Sequence, residues 1–173
     1  MQDDDADARS QAVGRALSSP LRLRVLRLCA FEARTNKELA ELLAVNPGTM
    51  LHHVRTLVGA GLLAAEEERS GAQGAREIPY RATGLSWNAS MPNQSVVLLE
   101  TMRQQMEGVD PEEVQMSWLG LRLNREHLEE LGRRLFELVT EFKERGPDAD
   151  GEPYSLVTVL HPDLNPSRDK PAD

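Results

Sequence analysis

The spacing of apolar residues over the first 61 positions of the chain predicts four helices in succession. In the second of these, Leu21, Val25 and Leu28 recur at intervals of three and four residues, which places them on one face. The expected helices cover residues 8–17, 20–31, about 35–43 and 46–61, and residues 1–6 are expected to fray. Local signals for a helix start precede the last three: Ser19-Pro20, a Thr35–Glu38 capping box and Asn46-Pro47. The third and fourth helices, joined by a tight turn, form a helix-turn-helix.

The fourth predicted helix has two faces of different chemistry. Met50, Val54 and Leu57 cluster on one side and are expected to face inward. The opposite side carries small residues and hydrogen-bond donors: Gly48, His52, Arg55 and Gly59, with Thr49 at the flank. Small residues allow a close approach to a surface, and arginine can pair bidentately with guanine in a major groove. An ordinary solvated face is the alternative, and the residues that follow favour nucleic acid.

A β-hairpin is predicted directly after the fourth helix. Its strands cover residues 62–68 and 77–82, and its tip is long, contains glycine and is bracketed by Arg69 and Arg76. Arg81 lies on the return strand, so three cations are expected beside the fourth helix. The Gly71-x-x-Gly74 sequence of the tip lacks the strand-to-helix turn of a phosphate-binding loop.

Residues 16–85 resemble the ArsR-type winged helix-turn-helix regulators, which are dimeric bacterial transcription factors. The matching text is ALSSPLRLRVLRL at 16–28, KELAELL at 37–43 and VNPGTMLHHVRTLVGAGLL at 45–63. The resemblance implies that residues 46–60 form the recognition helix, residues 62–82 form the wing, and His53 is structural. The residues implied in DNA binding are Pro47, Gly48, Thr49, His52, Arg55, Arg69, Arg76 and Arg81.

The chain departs from the metal-sensing members of that family. Those members carry a C-x-C motif at the start of the third helix, where this sequence has Thr35-Asn36-Lys37. The family's other metal site lies on a later helix, yet residues 94–107 contain neither His nor Cys. We therefore expect the non-metal-sensing branch, with no metal site and no cofactor.

The second half of the chain is expected to form a separate module. A turn-rich connector, residues 83–93, leads to a fifth helix, residues 94–107, with Val96, Leu99, Met102 and Met106 near one face. By analogy with the family this helix dimerises; the alternative is that it covers the domain's own core. Beyond Pro111, a strand at 116–123, a helix of about 21 residues after Asn124 and a strand at 154–161 predict a β-α-β module. We expect it to pair with its dimer mate or to pack on the fifth helix.

The sixth predicted helix is amphipathic. Outer ion pairs are expected between Glu129 and Arg133 and between Glu130 and Arg134, at i,i+4 spacing. Its apolar stripe consists of Leu128, Leu131, Leu135, Leu138, Val139 and Phe142.

Adaptable apolar side chains could line an effector pocket between the two modules. The set is Trp87, Met91, Met102, Met106, Met116 and Trp118. A small apolar or amphipathic organic molecule is the expected effector, and filling of a core is the alternative use of these residues.

The charge distribution modifies the picture of a DNA-binding protein. The chain carries a net charge of −8, which should repel a polyanion. However, residues 7–85 carry 11 Lys/Arg against 8 Asp/Glu, whereas residues 86–173 carry 9 against 17. The acidic second half is expected to face away from DNA.

Composition narrows the remaining classes. The single cysteine, Cys29, excludes an intrachain disulfide and is expected to be a buried apolar residue. The sequence shows no secretory signal and no apolar stretch of membrane-spanning length, so a cytoplasmic protein without a membrane partner is expected. No catalytic triad, paired carboxylates or phosphate loop can be recognised, so an enzyme is not expected.

These observations predict a mainly α protein with a small β component. The expected division is a winged helix-turn-helix domain at 7–85, a connector and dimerisation helix at 86–110, and a β-α-β module at 111–165. The expected function is a homodimeric, sequence-specific regulator of transcription that binds double-stranded DNA. The alternative is a winged-helix module that binds protein and has no specific affinity for DNA.

Overall fold

The computed structural model describes residues 2–71, 76–89 and 93–164, and the chain divides into two units, Met1–Val109 and Asp110–Asp173. The elements of the first unit are α1 (Gln2–Leu17), α2 (Pro20–Phe31), β1 (Arg34–Thr35), α3 (Asn36–Leu42), α4 (Pro47–Gly59), β2 (Leu63–Ala65), β3 (Arg69–Ser70), β4 (Arg76–Glu77), β5 (Pro79–Ala82) and α5 (Gln94–Met106). The second unit contains α6 (Arg125–Arg145). Short 3₁₀ turns occupy Leu85–Asn88 in the first unit and Pro111–Glu113 in the second.

The starts of α3 and α4 are set by the predicted side-chain caps. Glu38 N donates to Thr35 Oγ1 at 3.2 Å, and Thr35 N donates to Glu38 Oε2 at 2.7 Å, so the capping box is confirmed. At α4, Asn46 Oδ1 accepts from Gly48 N at 2.8 Å. Between the two helices Ala44 has a φ of +52°, a left-handed conformation that gives the helix-turn-helix its tight turn.

The core of the first unit lies where α4 packs against α2 and α3. Met50, Val54 and Leu57 are fully buried, which confirms the inward face predicted for α4. They join a cluster formed mainly by Leu17, Val25, Leu26, Cys29, Leu39, Leu62 and Leu63. Because three turns of α4 are anchored in this core, the helix cannot rotate about its axis without exposing apolar surface.

The hairpin forms, but its strands are shorter than predicted. β5 lies between β1 and β2 in an antiparallel three-stranded sheet, and β3 pairs with β4 in a separate two-stranded sheet. The first expected strand, 62–68, contains only β2 and ends at a run of three glutamates, and β3 lies beyond it. The second, 77–82, is interrupted at Ile78, directly before Pro79, which has no N–H to donate. The sequence analysis did not predict β1.

The first helix begins at Gln2 and not near residue 8, so the expected fraying of residues 1–6 is wrong.

In the second unit the helix is confirmed and the two strands are not. Asn124 Oδ1 caps α6 by accepting from His127 N at 2.8 Å, and the helix ends at Gly146, with φ +73°. Residues 116–123 and 154–161 are exposed and form no strand, so the predicted β-α-β module is wrong. A lone two-stranded sheet is marginal, and apolar alternation alone supplies no third strand.

The predicted ion pairs of α6 are half right. Arg134 pairs with Glu130 at 3.5 Å, as expected. Arg133, however, pairs with Glu137 at 2.9 Å and leaves Glu129 to Arg125. Each arginine has a carboxylate one turn away in both directions, and spacing alone does not decide between them.

Truncating the core face of α4 should destabilise the first unit. Leu57→Ala is expected to lower the free energy of unfolding by about 2–5 kcal/mol, because the side chain is fully buried. Val58→Ala is the matched control, since Val58 is the next residue and is 38% exposed. Chemical denaturation of both variants checks this, and equal losses would contradict the assigned orientation of α4.

Candidate nucleic-acid interface

The outward side of α4 carries every residue that was predicted there. Gly48, Thr49, His52 and Arg55 are all exposed, as is Pro47 in the first turn. A Cβ placed on Gly59 would meet no atom within 4 Å, so the fold itself does not require a glycine there. The absence of a side chain leaves room for an external surface to approach the helix.

Arg55 is an uncompensated cation. Within the described parts of the chain its guanidinium has no ion pair and no hydrogen bond, and it lies on the exposed side of a helix whose other side is fixed in the core. An arginine in that position keeps all five N–H donors available for a planar, bidentate acceptor.

The beginnings of α3 and α4 are tied together. Asn36 Nδ2 donates to Pro47 O at 3.1 Å, which holds the first turn of α3 beside the first turn of α4. Lys37, the next residue, is exposed and, among the described residues, unpaired. It was not singled out as a site residue, although its place at a helix start next to the cap could have indicated it.

The wing arginines differ from Arg55 because each has a carboxylate partner. Arg69 NH2 lies 2.6 Å from Glu38 Oε1, and Arg76 NH1 lies 3.6 Å from Glu68 Oε2. Arg81 pairs with Glu66 through its Nε and donates from NH1 to Phe31 O at 3.1 Å, so it reaches the end of α2. The sequence predicted where these cations lie along the chain but missed their neutralisation. Residues 72–75, most of the wing tip, lie outside the described residues.

Glu38 connects the helix-turn-helix to the wing. One carboxylate oxygen accepts from Thr35 N and the other from Arg69. The hydrogen bond from the Thr35 backbone is the main reason that the pKa of Glu38 is lowered, and Arg69 contributes further. The same side chain therefore caps α3 and holds one arginine of the wing.

Burial shifts the pKa values of two side chains in this region, His53 and Cys29. Burial, above all, lowers the pKa of His53, whose Nδ1 is buried and has no hydrogen-bond partner. This favours the neutral form of the imidazole, as a structural histidine requires. Burial also raises the pKa of Cys29 to about 11, so its thiol stays protonated.

The predicted effector residues are divided between the two units. Trp87, Met102 and Met106 belong to the first, and Met102 is half-buried. Met116 and Trp118 belong to the second and are 73% and 96% exposed. Met91 lies outside the described residues. A groove of about 600 Å³ at the base of the wing is lined by other residues, including Glu66, Arg69 and Pro79.

The described residues offer neither a metal-binding cluster nor a membrane-spanning helix. No group of three or more His, Cys, Asp or Glu side chains there could hold a metal ion. No helix in that part of the chain combines the length and the apolar character needed to cross a membrane.

The fold and the site define a winged helix-turn-helix domain. A family model described as a helix-turn-helix domain matches residues 17–65, which cover α2 to β2. Comparison with curated proteins gives no match.

Several solved structures are similar to this chain. An ArsR-like transcriptional regulator from Rhodococcus sp. RHA1 is 23% identical over 60% of this chain and 87% of its own, with a TM-score of 0.40. A homodimeric winged helix-turn-helix DNA-binding domain from Mycobacterium bovis, a possible ArsR-family regulator, is 22% identical over 68% and 94%, with a TM-score of 0.41. MarR is 17% identical over 79% and 92%, with a TM-score of 0.37. Because these TM-scores are low, function has to be inferred from the residues of this chain.

Removing the charge of Glu38 should weaken the link between α3 and the wing. Glu38→Gln is expected to cost about 0.2–1 kcal/mol of stability at neutral pH, the range for a largely exposed ion pair, because glutamine can still accept the capping hydrogen bond from Thr35 N. Glu41→Gln is the control, because Glu41 lies on the same helix, is exposed and, among the described residues, has no partner.

The pH dependence of this loss is also predicted. Since folding lowers the pKa of Glu38, its stabilising contribution is present above the unfolded-state pKa and disappears as the pH falls through the folded-state value. Denaturation of wild type and Glu38→Gln across acidic pH should therefore converge. A difference that persists in strong acid would contradict this role of the carboxylate.

Proposed function

We propose that this protein is a transcriptional regulator that binds specific double-stranded DNA sequences as a homodimer. The observation that carries the proposal is the outward side of α4, where the unpaired Arg55 lies among exposed Gly48, Thr49 and His52. In this proposal α4 enters the major groove, and the wing contacts the backbone or the minor groove.

The residues of α4 divide the work of recognition by their chemistry. Arg55 donates to a base edge, where a guanine offers two acceptors in the geometry of a guanidinium. Thr49 and His52 supply further donors from the same side of the helix. Gly48 lies in the first turn, where the lack of a side chain lets a DNA strand approach closely, while its own N–H is held by the Asn46 cap. Lys37 adds a cation at the neighbouring start of α3.

In this proposal the arginines of the wing bind DNA phosphates by exchanging their glutamate partners for them. These arginines are held by Glu38, Glu66 and Glu68, and all of these pairs are exposed. Exposed ion pairs contribute little to stability, so a phosphate can replace the carboxylate at small cost. The displaced carboxylates remain near the DNA and oppose weak, unspecific binding. This arrangement is compatible with the net charge of −8.

The homodimer forms through α5. The side of α5 that packs on α2 contains the buried Thr101, whose Oγ1 donates to Val97 O at 2.7 Å. The opposite side leaves Val96, Leu99 and Met106 exposed at 67%, 45% and 38%. Covering of its own core therefore does not account for this apolar side, whereas a second α5 would. A dimer would place two recognition helices on half-sites about 34–36 Å apart.

A protein-binding winged helix is the second candidate. The paired state of the wing arginines favours it, because they do not form a bare cationic surface. Fluorescence anisotropy with fragments of the source genome separates the two candidates. Saturable binding that falls steeply with salt supports the regulator, and its absence on every fragment favours the protein-binding module. The effector pocket remains a prediction for both.

Loss of the Arg55 side chain should weaken specific DNA binding. If it contacts a base, Arg55→Ala is expected to cost about 1–3 kcal/mol, roughly 5- to 150-fold in Kd. Arg133→Ala, which removes the same charge from α6, is the control for net charge. Anisotropy titrations on a selected and a random duplex are the measurement. An equal loss on both duplexes would make Arg55 a phosphate contact, and no loss would remove it from the interface.

A further inference from the structure

The second unit leaves the apolar side of α6 partly exposed: Leu131 and Leu135 are half-buried, and Arg145 lies over the Phe142 ring at 4.5 Å. No residue of this helix is buried, and Leu128, Leu138 and Phe142 are 45%, 51% and 56% exposed. Four ion pairs cover the polar sides: Arg125 with Glu129, Arg133 with Glu137, Arg134 with Glu130 and Arg145 with Glu141. A helix of 21 residues with one apolar side needs a partner for that side.

The spacing of the exposed side identifies the kind of partner. Its apolar residues alternate at intervals of three and four, the a and d positions of a heptad: Leu128, Leu131, Leu135, Leu138 and Phe142. This spacing produces a narrow seam that fits the same seam of another helix. The seam is about 21 Å long, from the rise of 1.5 Å per residue. A second copy of this chain supplies an identical seam.

Charge selects the direction of the second helix. Arg134 and Glu141 both lie at the position before an a residue, on the same flank of the seam. A groove of about 610 Å³ along that flank is lined by both of them and by Leu131, Leu135 and Leu138. In a parallel pair this flank would face the other flank, which carries Gly132 and Val139. In an antiparallel pair the flank meets itself, so Arg134, which pairs with Glu130 of its own helix, can also face Glu141 of the second copy, which pairs with Arg145.

The antiparallel register aligns the inner layers of the seam, while Leu128 at its end falls level with Arg145 of the second copy. With Leu135 of one copy level with Leu138 of the other, Leu131 lies level with Phe142. Arg134 then falls within two residues, about 3 Å along the axis, of Glu141 in the second copy. On the other flank the small Gly132 comes opposite Val139. The twofold axis repeats each of these contacts, which closes the pair.

We propose that α6 pairs antiparallel with α6 of a second copy of this chain, through the seam from Leu128 to Phe142. The pair buries Leu131, Leu135, Leu138 and Phe142 and places Arg134 opposite Glu141 on each side of the twofold axis. This interface is separate from the dimer contact proposed for α5, and it does not depend on binding to DNA.

Disulfide trapping in the full-length protein tests the pairing and its direction. Leu131→Cys and Phe142→Cys are produced singly, and a third sample contains both variants co-expressed on separate chains. In the antiparallel pair, position 131 of one chain lies level with position 142 of the other. The same position in the two chains is about 16 Å apart along the axis. A disulfide requires Cα atoms within about 7 Å.

Mild oxidation should cross-link the co-expressed chains to each other and leave each single variant uncross-linked. Phe136→Cys is the matched control, since Phe136 is 59% exposed on the same helix but lies outside the seam. Wild type controls for the buried Cys29. Cross-linking within each single variant would overturn the proposal in favour of a parallel pair. If the co-expressed sample is cross-linked no more than Phe136→Cys, α6 does not pair with α6 of a second copy.

Discussion

Burial of one side of α4 is the constraint on which the rest of the first unit depends. Met50, Val54 and Leu57 are fixed in the core, so the residues on the opposite side must point outward. The fold determines which residues face outward but not their chemistry, since nothing in the fold requires Arg55 to be an arginine. The capped turn between α3 and α4 then sets where the helix begins and keeps its N-terminus accessible.

Electrostatics distinguishes two kinds of cation in the same domain. Arg55 is free of carboxylates, whereas the arginines of the wing are paired with glutamates from the hairpin and from α3. Arg55 suits a selective contact with a base, because it has no carboxylate partner to give up. The paired arginines of the wing suit a contact with DNA phosphates, because they leave their glutamates only when a denser array of negative charge competes for them. An acidic protein can bind DNA in this way without binding every polyanion it meets.

The features that the sequence predicted correctly are those encoded locally. Caps at Thr35 and Asn46 lie beside the backbone groups that they bind, and the period of α4 reports its buried side directly. What failed depends on distant partners. Strand β1 is only two residues long and exists because β5 pairs with it, and the contact between Glu38 and Arg69 joins residues 31 positions apart. In the second unit, alternating apolar residues predicted strands where the described residues, 110–164, supply no neighbouring strand to pair with them.

The central claim is that two copies of α4 read one duplex. Hydroxyl-radical footprinting of the protein on a fragment selected from the source genome tests it most directly. We expect two protected patches on one face of the duplex, separated by about one helical turn or a multiple of it and related by approximate twofold symmetry. A single patch without symmetry, or uniform protection that moves with the fragment, would contradict it.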